Sequence, residues 1–454
     1  MRIRRLLVAN RGEIAARVVR TCARLGIESV LAASDADLDA LPARTADRVV
    51  RLGPGPAAQS YLDPAAVVRA ALAVGADAVH PGYGFLSESP ALARACADAG
   101  LVFVGPSVAT LEAVGDKLTA RSHALDAGLP VVPGGEAADL AGARAVADRV
   151  GYPLLVKAVG GGGGRGMKLV RTAAELPGGL DVAVAEAGAA FGDPRVYLER
   201  YVTSGRHVEV QVLGDGTSAV ALGDRDCSVQ RRYQKLFEEA PAPLLGDDVR
   251  AAMADAALAL ATHLRYRGLG TVELLYDRDR GSFHFLEMNA RIQVEHPVTE
   301  AVTGLDLVAE QLAVAEGLPL RLHAGDVAAR GHAVECRINA EDAARDFRPA
   351  PGRIERVVLP VGDGLRVDIG VQAGSVVPPH YDSLLAKLVV HGTDRADALA
   401  RARTALDLLR IEGVTTTAAV HRALLDDLEL VAGGVDTGFF ERWQARRRDL
   451  AEVS

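Results

Sequence analysis

Cysteine is scarce in this chain of 454 residues: four occur, Cys22, Cys96, Cys227 and Cys336, far apart and with no Cys-x-x-Cys pair. A disulfide framework and a cysteine zinc site are therefore unsupported, which fits a reducing cytoplasm. No apolar run approaches the roughly 20 residues that cross a bilayer. The basic start Met1-Arg2-Ile3-Arg4-Arg5 is like that of a signal peptide, but the apolar residues 6–9 stop at once in Asn10-Arg11-Gly12-Glu13, so no h-region follows. Positive charge is not in excess either. The formal net charge is −8, against the basic face of a nucleic-acid binder, although a local basic cleft for phosphates remains compatible with it. There is no internal repeat and no low-complexity linker.

What is present is an ordinary globular composition, 49% hydrophobic and 24% charged. At this length the chain exceeds one hydrophobic core and divides into two to four packed units. Strand and helix alternate at the start: strands over residues 3–9, 27–33, 78–80 and 101–104, and helices over 13–25, 65–74 and 90–99. That alternation implies a parallel sheet with helices on both faces. A second unit opens near Gly115, with a turn-rich stretch at 131–135, a helix over 141–150 and a strand over 153–158. From Val196 strands dominate (208–213, 219–222, 270–276, 283–288), interrupted by a helix over 249–264. The last part, from about His332, mixes strands (354–359, 385–390) with helices (395–409, 417–427), and Arg446-Arg447-Arg448 reads as a solvated helix end.

Five glycines run from Gly160 to Gly164 between Lys157 and Met167. Glycine lets backbone N–H groups curl closely around a phosphate, and a preceding lysine adds positive charge. A flexible linker is the plain alternative, but linkers rarely separate two apolar strands. The run is not a Walker loop, because Met167 stands where that motif needs lysine. Nor is it a Rossmann fingerprint, since residues 167–170 read as a strand rather than a helix. A strand–loop–strand hairpin able to close over a nucleotide remains.

The second signal is Glu287-Met288-Asn289-Ala290-Arg291, preceded by Glu273. On a strand Glu287 and Asn289 share a face, and Glu273 can meet them from a neighbouring strand. Such hard oxygen donors suit magnesium, which takes few protein ligands plus substrate phosphates. A water-exposed sheet face is the alternative, weakened by the apolar Phe283, Phe285 and Leu286 beside them. Arg291, Gln293, Glu295 and His296 follow in a dense mix of charge and amide, while Lys117, Lys157, His207, Lys235 and Arg337 add cations elsewhere. Any one of these cations, taken alone, is more often at the surface, and Cys227 alone reads as packing.

The motifs Asn10-Arg11-Gly12-Glu13-Ile14-Ala15, His80-Pro81-Gly82-Tyr83-Gly84-Phe85-Leu86-Ser87-Glu88 and Gly115-Asp116-Lys117 resemble those of biotin carboxylases. So do the glycine run to Met167, Arg225-Asp226-Cys227-Ser228 through Glu239-Ala240-Pro241, residues 287–300, and His332 through Glu341. They occur in one order from residue 3 to about 430. The resemblance implies an α/β architecture: an N-terminal Rossmann-like domain (1–114), an ATP-grasp domain (115–330) with a mobile lid at about 131–202, and a C-terminal α+β domain (331–454).

It implies further that Lys117, Lys157, Gly162, Gly163, Gly164, Met167, Glu199, Val202, His207, Gln230 and Leu275 line the ATP site. Glu273, Glu287 and Asn289 would hold Mg2+ or Mn2+, as two ions. Lys235, Arg291, Gln293 and the backbone of Val294 would bind bicarbonate, Glu295 would deprotonate it, and Arg337 and Tyr83 would meet biotin. The implied reaction is ATP- and bicarbonate-dependent carboxylation of biotin through carboxyphosphate. The implied partners are a biotin carboxyl carrier protein, a second copy of the chain and a carboxyltransferase subunit, with acetyl-CoA the default acceptor of the complete carboxylase. Met1, Met167, Met253 and Met288 are the only methionines, so the Ala-Met-Lys-Met signature of a biotin-accepting domain is absent, and carrier and carboxyltransferase are expected on other polypeptides. A cytoplasmic protein without nucleic-acid or membrane partners is expected. Tyr233 stands where the family often has His or Asn, expected near the nucleotide, and Leu236-Phe237 is bulkier than the usual aliphatic pair. Two other readings stay open: another ATP-grasp carboxylate–amine ligase, and a non-catalytic nucleotide-binding subunit. Residues 291–295 and the Arg337 segment speak against the first, and the presence of Lys235, Glu295 and Arg337 against the second.

Overall fold

The structure is a computed structural model that describes residues 2–160, 167–323, 325 and 327–453. The strand–helix alternation of the first hundred residues builds a five-stranded parallel sheet from β1 (Arg5–Val8), β2 (Glu28–Ser34), β3 (Arg48–Gly53), β4 (Ala78–His80) and β5 (Val102–Phe103). Their order is β3-β2-β1-β4-β5. The helix Gly12–Leu25 packs on this sheet through Ile14, Ala15, Val18, Val19 and Cys22, a stripe at helical spacing, and ends at Gly26 in the left-handed conformation (φ 68°).

The next unit carries a small antiparallel sheet, β6 (Gly134–Ala137), β7 (Leu154–Ala158), β8 (Met167–Val170) and β9 (Val196–Arg200), in the order β6-β9-β7-β8. The helices Leu140–Val150 and Leu176–Phe191 pack with it, around Ala143, Val146, Leu154, Val156, Leu180 and Leu198. The strand after the glycine run is β8, as the sequence suggests. Gly162, Gly163 and Gly164 lie outside the described residues.

The main body is one eight-stranded antiparallel sheet. It comprises β10 (Gly205–Asp215), β11 (Ala219–Arg231), β12 (Gln234–Ala240), β13 (Arg267–Asp277), β14 (Ser282–Asn289), β15 (His332–Asn339) and the strands Leu384–Gly392 and Leu365–Ile369. The order is β14-β13-β10-β11-β12-β15 and then those last two, so the C-terminal strands continue the sheet of the preceding unit through the β12–β15 pairing. Three sequence expectations need correction. The strand expected over 219–222 runs on to Arg231, because the polar Asp224, Arg225 and Asp226 are buried against opposite charges rather than turned to water. The strand expected over 354–359 is ladder-paired only at Arg356–Val358, against Arg410–Glu412. The alternation-based reading also passes over β12 and β15, whose charged residues are likewise buried.

Arg232 (φ 49°) and Tyr233 (φ 66°) form the two-residue turn that joins β11 to β12, the twist-compatible hairpin geometry with both central residues left-handed. Tyr233 is exposed there and faces Tyr201 and Glu441. Leu236 and Phe237 pack in the core with Val229 and Cys336. All four cysteines are free and buried. Among the described residues no helix is long and apolar enough to cross a membrane.

Candidate active site

The inward face of β10, β12 and β13, together with the turn after β14, converges on one ammonium. Lys235 Nζ on β12 donates to Glu209 Oε2 (2.7 Å), Glu273 Oε1 (2.9 Å) and Glu295 Oε1 (2.6 Å). Glu209 is shared with Arg225, whose Nε lies 2.7 Å from its other oxygen, and Arg225 also donates to Gln211, Thr271 and Thr299. Both Glu209 and Arg225 are fully buried. Buried charges need this density of partners, since desolvation otherwise expels them or neutralises them.

Glu295 sits between two cations. Besides Lys235, Arg337 Nη2 donates to its Oε2 at 3.0 Å, and Arg337 Nε donates to Glu238 Oε1 at 2.5 Å. Burial pushes the Glu295 carboxyl up, but Lys235, Arg337 and Arg225 together hold it well below the usual carboxylate range. Lys235 is pulled down by burial and more than restored by Glu209, Glu273 and Glu295. Burial likewise outweighs Arg337 at Glu238, whose pKa rises to about 7. Glu335, opposite Glu238 across β12 and β15, is raised well above the normal range by burial, with neither carboxyl oxygen hydrogen-bonded.

Glu273 and Glu287 face each other directly across β13 and β14, and Asn289 Nδ2 donates to Glu273 Oε1 at 3.0 Å. Burial and then the Glu273 charge raise Glu287 against the pull of Lys117, while Glu273 itself, pushed up by burial, is brought low by Lys235 and His207. Buried Glu273 and half-buried Glu287 oppose each other beside Asn289, whose amide oxygen is held by Arg291 and could be turned to an ion; these hard oxygen donors fit magnesium or manganese. Arg291 donates to Glu88 (2.9 Å), Asn289 (2.6 Å) and Gln293 (2.9 Å). Gln293 Nε2 also reaches Glu273 at 3.2 Å. His207 Nε2 lies 3.0 Å from Glu273, and its Nδ1 is 2.7 Å from the Gln230 amide.

The small four-stranded sheet adds Lys157, and the helix before it adds Lys117. Lys157 pairs with Met167 in register and makes an ion pair with Glu199. Val202 is buried, and Leu275 lies opposite His207 across β10 and β13. Lys117, at the start of the helix Lys117–Asp126, is lowered by burial against the raising effect of Glu287. Of the residues singled out in the sequence, those of the bicarbonate and metal sets meet in one cluster. Tyr83 stands to one side and donates from its hydroxyl to Glu13.

Lys387 escapes notice in the sequence. Fully buried, it donates to the Val294 carbonyl (2.8 Å) and lies 3.0 Å from Glu13 Oε2. One lysine of the C-terminal strands thus pins the turn carrying Glu295 to the N-terminal domain. The available signal is a lone lysine within the apolar run Leu384-Leu385-Ala386-Lys387-Leu388-Val389-Val390. Glu209 within Val208–Leu213 and Glu238 on β12 carry the same signal, a charge on a strand with both faces buried.

Residues 2–111 match the family model described as biotin carboxylase, N-terminal domain. Residues 116–323 match the carbamoyl-phosphate synthase L chain, ATP binding domain, and 335–442 the biotin carboxylase C-terminal domain. The chain is 47% identical to a biotin carboxylase of Pseudomonas aeruginosa, over 97% of this chain and 98% of that one. It is 46% identical to biotin carboxylase 1 of Bacillus subtilis, over 97% and 99%. Among solved structures, the biotin carboxylase domain dimer of Hydrogenobacter thermophilus 2-oxoglutarate carboxylase, with MgADP, ADP and bicarbonate, superposes with a TM-score of 0.94 at 41% identity, over 97% and 98% of the chains. A Campylobacter jejuni biotin carboxylase–β,γ-ATP complex gives 0.94 at 41%, over 97% and 99%.

Proposed function

The chain belongs to the biotin carboxylase family, and from that premise we propose how its residues divide the work of its reaction. That reaction is the ATP- and bicarbonate-dependent carboxylation of biotin on a carrier protein. Lys117, Lys157, Met167, Glu199, Val202, His207, Gln230 and Leu275 line the ATP site, and Gly162, Gly163 and Gly164 close on its phosphates. Glu273, Glu287 and Asn289 would hold magnesium or manganese, which supplies positive charge to the triphosphate. Lys235, Arg291, Gln293 and the Val294 backbone bind bicarbonate and aim it at the γ-phosphorus.

Glu295 takes the bicarbonate proton, and its basicity rises as Lys235 and Arg337 turn from it toward the incoming anions. A bicarbonate oxygen then bonds to the γ-phosphorus as the bond to the ADP oxygen breaks. The carboxyphosphate splits into carbon dioxide and phosphate inside a closed lid that excludes water. That phosphate accepts the N1′ proton of biotin, and N1′ bonds to the carbon of carbon dioxide. Arg337 balances the charge that develops on the ureido oxygen, with Tyr83 beside the ring. The division of the chain at residues 114/115 and 330/331 belongs to the same proposal. So do a homodimer, a carboxyltransferase partner that receives the carboxyl group, and acetyl-CoA as the acceptor.

The placement of Glu295 between Lys235 (2.6 Å) and Arg337 (3.0 Å) carries this reading. Bicarbonate-dependent ADP release should be stimulated by free biotin, and Glu295→Ala and Arg337→Ala should each lower it by about 10²- to 10⁴-fold. ATP binding with no biotin-stimulated turnover, even with a biotinylated carrier supplied, would move the assignment to another ligase or to a non-catalytic role.

A further inference from the structure

Away from this site, two helices of the ATP-grasp domain bring together a second set of metal-ligand side chains. His123 and Asp126 lie three residues apart on the helix Lys117–Asp126, and His263 is the last residue of the helix Asp247–His263. A nitrogen or oxygen of each lies within 4.8 Å of the others. His123 Nδ1 and His263 Nε2 are 3.1 Å apart, with ring centroids at 5.3 Å.

That nitrogen separation falls in the range a first-row metal imposes. Two imidazole nitrogens about 2.0–2.1 Å from one ion stand about 3.3 Å apart at a tetrahedral angle and about 2.9 Å at a right angle. Without an ion, one ring must donate its proton to the other. An ion would displace that proton and take both lone pairs, with the Asp126 carboxylate as third ligand and water completing the shell. His263 and Asp126 are exposed and His123 is half-buried, so an ion has open access and no buried charge is stranded.

We propose that His123, Asp126 and His263 form a site for a divalent ion of the zinc class. Two imidazoles and one carboxylate favour zinc, cobalt or nickel over magnesium, which prefers oxygen donors. It is separate from the oxygen-donor set Glu273, Glu287 and Asn289. Its effect is mechanical. The helix Lys117–Asp126 leads through Leu129 and Pro130 into the lid strand β6, and Pro130 is tied to β14 by the Phe285 N–H (2.7 Å). An ion at this site fastens the root of the lid to the helix Asp247–His263.

The test titrates zinc into the metal-free full-length chain, with MgADP saturating the nucleotide site, by calorimetry and by thermal melting. The wild type should take up one more equivalent than His123→Gln and than His263→Gln, and zinc should raise its melting temperature but not theirs. Both variants should keep their bicarbonate-dependent ATP turnover, which also reports that they fold. Equal zinc stoichiometry in wild type and in both variants would overturn the proposal. So would an extra equivalent that magnesium at equal concentration displaces.

Discussion

Lys387 shows how much one buried side chain can hold. Its donation to the Val294 carbonyl and its pairing with Glu13 join residues from three parts of the chain at the turn bearing Glu295. A hydrogen bond from a charged group contributes about 1.5–3 kcal/mol. Lys387→Met should therefore raise the KM for bicarbonate by about tenfold or more while leaving the KM for ATP near wild type. The same variant should lose about 3–5 kcal/mol of stability by stranding Glu13, and adding Glu13→Gln should restore much of that loss in urea unfolding. Recovery of stability without recovery of bicarbonate KM would separate the two roles. Glu238 sets a pH dependence. Its folded pKa, near 7, lies above its unfolded value, so the native state holds the proton longer than the unfolded chain does. The stability this contributes is complete below about pH 4.5, is lost as pH rises through about 7, and amounts to about 3 kcal/mol. Glu238→Gln should leave unfolding at pH 4.5 near wild type and be the more stable form at pH 8, as urea midpoints at the two pH values would show.

Between β11 and β12 the hairpin turn places two residues with side chains in left-handed conformations, Arg232 and Tyr233. For L-residues other than Gly and Asn this costs about 1–2 kcal/mol each, and the primed turn favours Asn-Gly. Tyr233→Asn should raise stability by about 0.5–1 kcal/mol, read as a higher melting temperature. A fall instead would mean that what the tyrosine ring itself contributes outweighs the backbone term. Position 233 is thus one that the turn itself constrains. The small four-stranded sheet follows the same logic: β7 and β8 are recognisable from their apolar runs, with the glycines of the sequence marking the break between them.

The molecule as a whole is joined at backbone contacts as well as ion pairs. Gly370, directly after the strand Leu365–Ile369, lies so close to the start of the helix Gly12–Leu25 that a Cβ there would sit 2.5 Å from the Glu13 nitrogen and 2.6 Å from the Gly12 carbonyl carbon. Backbone on one side and sheet on the other leave little room to relax, so Gly370→Ala should cost about 1–3 kcal/mol. Because Glu13 belongs to the displaced helix, the variant should also weaken bicarbonate use. A melting temperature and a bicarbonate KM both unchanged would show that the domains accommodate the methyl group by a rigid shift. The same junction carries Arg17, which joins Glu300 (2.7 Å) and Asp306 (2.8 Å) in one buried network.

By itself the sequence determined the parallel N-terminal sheet, because strand and helix alternate there with clean periodicity. It also determined the glycine hairpin and the shared face of Glu287 and Asn289, both set by local spacing. The ordered motifs from Asn10 to Glu341 pointed to the family before any contact was known. Tertiary structure alone decided that the C-terminal strands extend the ATP-grasp sheet and that Lys387 pins Val294. It likewise decided that one ammonium serves Glu209, Glu273 and Glu295. Periodicity reports which face of an element is buried but not which faces meet. On β10, β11 and β12 both faces are buried, and charges that look like surface residues are held in the interior by partners as far as 156 positions away.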